Sequence, residues 1–147
     1  MLCAVEGSHV REPRPAELVR ALYKAIEERN YEAGFALLDD EFEWLEPERA
    51  LLGRVHRGPD QVRAAIETLL EVFDEFTIEP EEFHEYGQHV AVPIRQRVRG
   101  GASGVELEIR IGHLWKVEEG KVTRLEVFAA REDALKAAEL AEQSVRS

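Results

Sequence analysis

The order in which two hydrophobic periodicities follow each other along the chain is the feature that most restricts its fold. Apolar residues recur at helical spacing in the first half, where Leu18, Leu22 and Ile26 stand at intervals of four. From about residue 77 the pattern changes to strand alternation, interrupted by glycine-containing turns. Helices followed by strands that are joined by hairpins predict an α+β fold, with helices packed on one face of a curved, mainly antiparallel sheet.

The predicted helices have recognisable boundaries. Pro15 suits a first helical turn, where a missing N–H costs nothing, and Asn30 ends that helix. A short second helix is predicted over residues 31–38. Gly58 and Pro59 begin a third helix, and a last amphipathic helix is predicted over residues 131–145.

The predicted strands lie between turn signals. A short strand over residues 41–45 alternates apolar and acidic side chains and ends at Pro47. Four further strands are predicted over residues 77–83, 89–99, 105–117 and 122–128. We therefore predict a sheet of four to six strands, with the three N-terminal helices on its concave side.

The chain length sets the domain organisation. A chain of 147 residues forms one domain with a real core and is too short for two ordinary domains. Residues 1–14 show no periodicity, and we expect them to form a loose N-terminal leader. The domain itself is predicted over residues 15–130, followed by a C-terminal helix over residues 131–147.

Charge and cysteine content exclude several kinds of partner. The chain has 19 Lys and Arg against 30 Asp and Glu, a formal net charge of −11. Nonspecific binding to nucleic acid or to an anionic membrane needs a basic surface, so neither partner is expected. No apolar run approaches the roughly 20 residues of a membrane-spanning helix. The single cysteine, Cys3, cannot form an intramolecular disulfide, which favours a cytoplasmic location.

No cofactor is expected from the sequence. It contains no P-loop, no G-x-G-x-x-G after a strand and no G-x-S-x-G. His84 and His89 lack the close spacing and the third ligand of a metal site, so we expect no metal.

Three segments of the chain stand in a recognisable order. Residues 40–47, D-E-F-E-W-L-E-P, follow two predicted helices, residues 57–63 begin the next helix, and residues 115–122 form a predicted hairpin. In order and spacing they resemble the D-D-x-x-W-x-D-P segment, the next helix start and the F-R-F-x-D-G-K-I hairpin of the SnoaL-like (polyketide-cyclase-like) proteins, which belong to the nuclear transport factor 2-like superfamily. The resemblance covers about residues 15–128.

The resemblance implies a cone-shaped, cystatin-like fold, in which a strongly bent sheet wraps helices and leaves one pocket at its wide end. The superfamily includes polyketide cyclases, ketosteroid isomerases, epoxide hydrolases, dehydratases and binding domains without catalysis, so the fold alone does not fix the reaction. It also implies a homodimer through the outer face of the sheet. The predicted strand over residues 89–99 agrees with that expectation, because it carries apolar or small residues on both faces, with Val90, Val92 and Ile94 on one and Ala91 and Pro93 on the other.

Glu46 is the first candidate catalytic residue. The resemblance places it, directly before Pro47, where ketosteroid isomerases have the carboxylate that shuttles a proton. A carboxylate at the rim of an apolar cavity has a raised pKa and becomes a usable base. The alternative is that Glu46 is a solvated loop acid, as most glutamates are.

His113 is the second candidate catalytic residue. Strand alternation places it on an apolar face with Ile109, Ile111 and Trp115. The resemblance puts it where isomerases have a hydrogen-bond donor to the oxyanion, and the alternative is a core histidine satisfied by a neighbour. Those isomerases also use a tyrosine of the first helix. Leu22 stands at the matching position here, with Tyr23 beside it.

Large aromatic side chains are candidate ligand contacts. The resemblance turns Trp44 and Trp115 inward, with Phe42 and Phe128, although such residues also form ordinary cores. In the last strand Arg124 and Glu126 are either pocket groups or solvated surface, because both faces of that strand carry apolar residues. Glu126 is the next candidate base after Glu46, and Tyr23 and Arg124 are further candidate ligand contacts.

Two functions are consistent with these residues. In the first, the chain binds a small, largely apolar molecule and acts on it by cofactor-independent acid–base chemistry of the cyclase, isomerase or hydrolase type. In the second, the same fold is a non-catalytic ligand-binding or dimerisation module. The two hypotheses differ in one geometric requirement: catalysis needs Glu46 and His113 to face the same cavity.

Overall fold

A bent β-sheet wraps three helices on its inner side and carries a fourth helix on its outer side. The computed structural model describes residues 13–47, 55–100 and 104–146. Its helices are α1 Pro15–Glu27, α2 Tyr31–Ala36, α3 Gly58–Val72 and α4 Arg131–Arg146. Its strands are β1 Leu38–Leu45, β2 Val55–Arg57, β3 Phe73–Pro80, β4 His84–Tyr86, β5 His89–Gly100, β6 Glu106–Glu118 and β7 Lys121–Phe128.

The strands form a single sheet in the order β2-β1-β7-β6-β5-β3, and β4 pairs with β5 at one end. Every pair is antiparallel except β1 with β7, which run parallel. The predicted α+β class with a mainly antiparallel sheet is confirmed. The prediction of four to six strands is wrong, because seven strands lie in the described residues. The two unforeseen strands, β2 and β4, have three residues each and are too short to show alternation.

Helix α1 begins where the sequence predicts. Pro15 occupies the first turn, and the Glu17 carboxylate accepts a hydrogen bond of 2.7 Å from the backbone N–H of Arg14. This helix buries one stripe of side chains: Leu18, Val19, Leu22, Tyr23 and Ala25. That stripe packs on the concave face of the sheet.

Helix α3 also begins at the predicted residue. Gly58 has a φ of 78°, in the left-handed region that favours glycine. The Gln61 side chain accepts a hydrogen bond of 2.7 Å from the backbone N–H of Arg57. The helix ends at Val72, and β3 follows at once, four residues before the predicted start of that strand.

The main core lies between the inner helices and the concave face of the sheet. Val90, Val92 and Ile94 of β5 are fully buried there, and they pack in the same cluster as Trp115 and Val117 of β6. The inward residues of β5 and β6 therefore form the floor beneath α1 and support the face on which His113 lies.

Helix α4 covers part of the outer face of the sheet. Ala138 packs in a second apolar cluster with Ala91 and Leu114. A Cβ atom on Gly112 would stand 2.7 Å from the Cβ of Ala134, so only glycine permits this close approach. The apolar outer face that motivated the dimer prediction is thus partly covered by the chain's own helix. Homodimerisation stays a prediction, as do the domain boundaries.

A β-bulge in β7 changes which residues of that strand face inward. Lys116 pairs with Arg124 but Val117 pairs with Val122, so Thr123 is an extra residue without a partner. Val122 and Leu125 therefore face the same side although they are three positions apart, and both are buried.

In the part of the chain that the structure describes, no helix is long and apolar enough to cross a membrane.

Candidate functional site

A cavity of about 510 Å³ lies between helices α1 to α3 and the concave face of the sheet. Its walls are mostly apolar: Leu22 and Ile26 come from α1, Ile66 and Leu69 from α3, and Ile111 from β6. Such a volume is in the range of cavities that hold small organic molecules.

Five of the nine predicted site residues line this cavity. They come from two strands that are far apart in sequence: Phe42, Trp44 and Glu46 from β1 and its end, and His113 and Trp115 from β6. Ile109 and Ile111 line it with them, as strand alternation in β6 requires.

Strand register places Glu46 and His113 on either side of β7. Leu45 pairs with Glu126, so the next residue, Glu46, comes level with Val127. Val127 in turn pairs with His113. Two strand spacings separate the backbones of Glu46 and His113, about 10 Å, so a small molecule between the two side chains can contact both.

Burial makes Glu46 an unusual carboxyl group. Removal from water raises its pKa from 4.5 to about 7, and the Trp44 side chain opposes this shift in part. Its Oε2 atom and the Nε1 atom of Trp44 are both buried and have no hydrogen-bond partner among the described residues. A carboxyl group with this pKa exchanges its proton near neutral pH.

His113 belongs to a buried chain of hydrogen bonds. The Tyr23 hydroxyl lies 2.6 Å from Nδ1 of His113, and Nε1 of Trp115 donates to the same hydroxyl at 2.7 Å. Burial lowers the pKa of His113 to about 3 and raises that of Tyr23 well above 10. Both groups are therefore neutral at ordinary pH.

The hydrogen-bond inventory assigns the tautomer of His113. An indole nitrogen only donates, so the Tyr23 oxygen accepts from Trp115. In the described residues the Tyr23 hydroxyl proton has no acceptor other than Nδ1 of His113, so a fully satisfied network assigns Nδ1 as the acceptor and places the imidazole proton on Nε2. His113 is thus a neutral hydrogen-bond donor at the cavity wall, and each bond in the chain strengthens the next.

The other four predicted residues do not line the cavity. Tyr23 lies behind the wall, where its hydroxyl holds His113 and Trp115. Arg124, Glu126 and Phe128 face outward, because the bulge at Thr123 turns Leu125 and Val127 to the cavity instead. Arg124 and Glu126 form an ion pair at 3.7 Å, and Phe128 packs in the outer cluster beneath α4.

Several polar residues at the cavity were not singled out from the sequence. Arg29, Asn30, Tyr31 and Gln96 all line it. Leu22, which the family resemblance matches to the isomerase tyrosine, lines it as an apolar residue. The first three follow the end of α1, in a loop and a short helix where no periodicity indicates direction. Gln96 follows the alternation of β5, and that alternation was the one available signal.

In the described part of the chain, no three His, Cys, Asp or Glu side chains are placed so that they could hold a metal ion. Of the described residues that line the cavity, Glu46 and His113 are the two with a strongly shifted pKa.

Sequence comparison identifies a family. The profile of the SnoaL-like domain matches residues 19–125, most of the chain. Among curated protein sequences, none matches at a significant level.

Solved structures share the fold at low sequence identity. TerC, co-crystallised with polyporic acid, is 24% identical with a TM-score of 0.72, and the match covers 85% of this chain and 98% of TerC. A nuclear transport factor 2-like protein of Burkholderia pseudomallei K96243 is 25% identical with a TM-score of 0.72, covering 83% and 95% of the two chains. Rv0760c of Mycobacterium tuberculosis, in complex with estradiol-17β-hemisuccinate, is 17% identical with a TM-score of 0.68, covering 78% and 93%.

Proposed function

The chain belongs to the SnoaL-like domain family, and from that premise we propose that it binds a small, largely apolar molecule in its cavity and transfers a proton on it without a cofactor. The apolar walls and the volume of about 510 Å³ support binding. Two structures of the same fold, TerC and Rv0760c, were crystallised with small organic ligands, which supports the same function here.

The proposed chemistry is removal and return of a proton next to a carbonyl group. Glu46 accepts the proton from carbon, because its pKa near 7 makes it a stronger base than an ordinary carboxylate. His113 donates its Nε2 proton in a hydrogen bond to the carbonyl oxygen, which gains negative charge as the proton leaves. Trp44 and Trp115 hold the apolar body of the molecule. An isomerase or a cyclase of acid–base type fits this step, whereas in a hydrolase Glu46 would instead take a proton from an attacking water molecule.

One observation carries the proposal. The Glu46 carboxyl is largely withdrawn from water, has no hydrogen-bond partner on Oε2 among the described residues, and shares a cavity with His113. A glutamate in this position destabilises the fold when it is ionised, so a purely structural role does not account for it.

The experiment is hydrogen–deuterium exchange. Purified protein in D₂O is mixed with a panel of apolar ketones, and exchange next to the carbonyl is followed by NMR. We expect wild type to accelerate exchange for at least one compound, and Glu46→Gln to lose at least about 100-fold of that rate. Glu43→Gln is the matched control, because Glu43 lies on β1, which ends just before Glu46, and pairs with Arg57 at 2.8 Å. Tight binding of panel compounds without any exchange would leave a non-catalytic binding module.

We further propose a homodimer and a cytoplasmic location. The first rests on the resemblance and the second on cysteine content, and neither depends on the chemistry at Glu46.

A further inference from the structure

We propose that Arg29 binds an anionic group of the ligand at the mouth of the cavity, so that the preferred ligand is an apolar molecule with an acidic group at one end. This inference rests on the proposal that the cavity binds a small apolar molecule. It adds a ligand class and a residue that selects it.

The first observation is the place of the guanidinium. Arg29 lines the cavity, and its Nη1 donates to the Tyr31 hydroxyl at 3.1 Å while its Nη2 donates to the Phe76 carbonyl at 3.2 Å. Tyr31 and Phe76 line the cavity as well. Both acceptors are neutral, so they orient the guanidinium without neutralising its charge. A guanidinium has five N–H donors, so further donors remain for a ligand.

The second observation is the contrast with other arginines. Most arginines in the described residues have a carboxylate within 4 Å: Arg14, Arg57, Arg63, Arg95, Arg97, Arg99, Arg110, Arg124 and Arg131. Within those same residues Arg20 and Arg29 have none, and of these two it is Arg29 that lines the cavity. In a chain with a net charge of −11, an arginine without an acidic partner at a cavity is unusual. A ligand with an anionic group can supply the negative charge that Arg29 lacks.

The third observation is the charge pattern of the cavity. Of the described residues that line it, Arg29 and Glu46 are the two with formally charged side chains. Arg29 contacts Phe76, which pairs with Val98 on β5, and Val98 pairs with Leu107 near the exposed end of β6. Glu46 lies level with His113, six residues further along β6. At the rise of a strand the two levels are about 20 Å apart.

This separation defines the ligand. Its acceptor oxygen lies at His113, its apolar body fills the space between Trp44 and Ile109, and its anionic group faces Arg29 near the mouth. An acidic group at the Glu46 end is excluded, since two carboxylates cannot share an apolar site when both are ionised.

The backbone conformation supports a need for a positively charged side chain here. Arg29 has a φ of 59°, where a residue other than glycine or asparagine is costly. Glycine would end the helix at lower cost, but it would bring no positive charge to the cavity.

The experiment compares two fluorescent probes with the same body. 8-Anilinonaphthalene-1-sulfonate carries an anionic group, and N-phenyl-1-naphthylamine is the same molecule without it. We expect wild type to bind the sulfonate more tightly and the two probes to compete. Arg29→Gln should weaken binding of the sulfonate by about fivefold to tenfold and change binding of the uncharged probe by less than about twofold.

Two variants separate charge from structure. Arg29→Lys keeps the charge and should retain most of the affinity for the sulfonate. Arg20→Gln is the matched control, because Arg20 is an exposed arginine of α1, the helix that ends just before Arg29, and it is stacked on Phe83 at 4.1 Å outside the cavity lining. It should change neither affinity.

Equal weakening of both probes by Arg29→Gln, no change in sulfonate affinity, or absence of competition between the probes would overturn the inference. The assay measures binding alone. A catalytically silent Glu46 would therefore overturn the proposed proton transfer and leave the role of Arg29 intact.

Discussion

The hydroxyl oxygen of Tyr23 lies 2.6 Å from Nδ1 of His113, although the two residues are 90 positions apart in the chain. Trp115 donates to the same oxygen. Because an indole nitrogen cannot accept, and the Tyr23 hydroxyl has no other acceptor in the described residues, one arrangement of protons satisfies all three side chains. That arrangement makes His113 a donor towards the cavity and gives Tyr23 a role in positioning rather than in contact with a ligand.

We predict that Tyr23→Phe removes this control of the tautomer. In wild type, long-range ¹H–¹⁵N NMR should show His113 neutral and protonated on Nε2 down to about pH 4, because burial lowers its pKa to about 3. In the variant, Nδ1 loses its donor, and we expect a mixture of tautomers. Loss of the hydroxyl also leaves Nε1 of Trp115 unpaired and should cost about 1–3 kcal/mol of stability.

Tyr86→Phe is the control for that experiment. Tyr86 packs in the outer cluster beneath α4, away from His113. It should leave the His113 signals unchanged. A wild-type His113 protonated on Nδ1 would contradict the assigned chain of hydrogen bonds.

Glu46 and His113 are predicted to give opposite pH dependences of stability. The folded-state pKa of Glu46 is raised to about 7 from 4.5, so the folded state binds an extra proton in that interval and stability falls as pH rises. The folded-state pKa of His113 is lowered from 6.5 to about 3, so stability rises with pH in that interval. Each slope is about 1.4 kcal/mol per pH unit, and the two cancel between about pH 4.5 and 6.5.

Glu46→Gln should separate these two contributions. Urea denaturation at several pH values should show the variant equal to wild type near pH 4.5 and more stable by about 2–3 kcal/mol above pH 7, where wild-type Glu46 is ionised. Glu43→Gln should give no such rise. A stability difference that does not change with pH would mean that Glu46 is solvated.

Gly112→Ala is predicted to displace α4. The new Cβ would lie 2.7 Å from the Cβ of Ala134 and 3.1 Å from the Cα of Arg131, which should cost about 1–3 kcal/mol. In an Ala134→Gly background the same change should cost about 1 kcal/mol less, because the closest contact is gone. Strictly additive effects in this double-mutant cycle would argue against the close approach.

A homodimer is predicted from the resemblance. Sedimentation at micromolar concentration should give twice the chain mass of 16.7 kDa. Because α4 already covers Ala91 and Leu114, the interface would have to use α4 or the parts of the outer face beside it. A particle of 16.7 kDa would contradict the prediction.

Much of the fold followed from periodicity, and the exceptions have physical causes. The four helices and the long strands are at or near their predicted positions, because each buries one regular stripe or face. The three-residue strands β2 and β4 have no period to detect. The bulge at Thr123 could not be predicted, because an extra residue does not disturb the hydrophobic alternation of a strand in a detectable way when both faces carry apolar side chains.

Strand alternation and the family resemblance predicted part of the site. Alternation placed His113 and Trp115 on one face, and the family resemblance suggested Glu46. The sequence predicted that one stripe of helix α1 is buried, but not how the helix is rotated about its axis. The hydrogen bond of Tyr23 to His113, which spans 90 residues, therefore could not be predicted. Arg29 could not be predicted as a site residue for a related reason: a loop at a helix end has no periodicity that would indicate the direction of a side chain.

The bulge at Thr123 also determines which side chains of β7 would face the cavity if the strand lost one residue. Without Thr123 the strand would regain regular pairing, and Val122, Leu125 and Val127 would still face inward. Loss of a residue further along, at Arg124, with the bulge kept, would instead turn Glu126 and Phe128 towards the cavity and Leu125 away from it. Deletion of one residue here therefore leaves the chemistry of the cavity wall unchanged when the bulge is lost with it, and places a carboxylate and a phenyl ring in that wall when the bulge is kept.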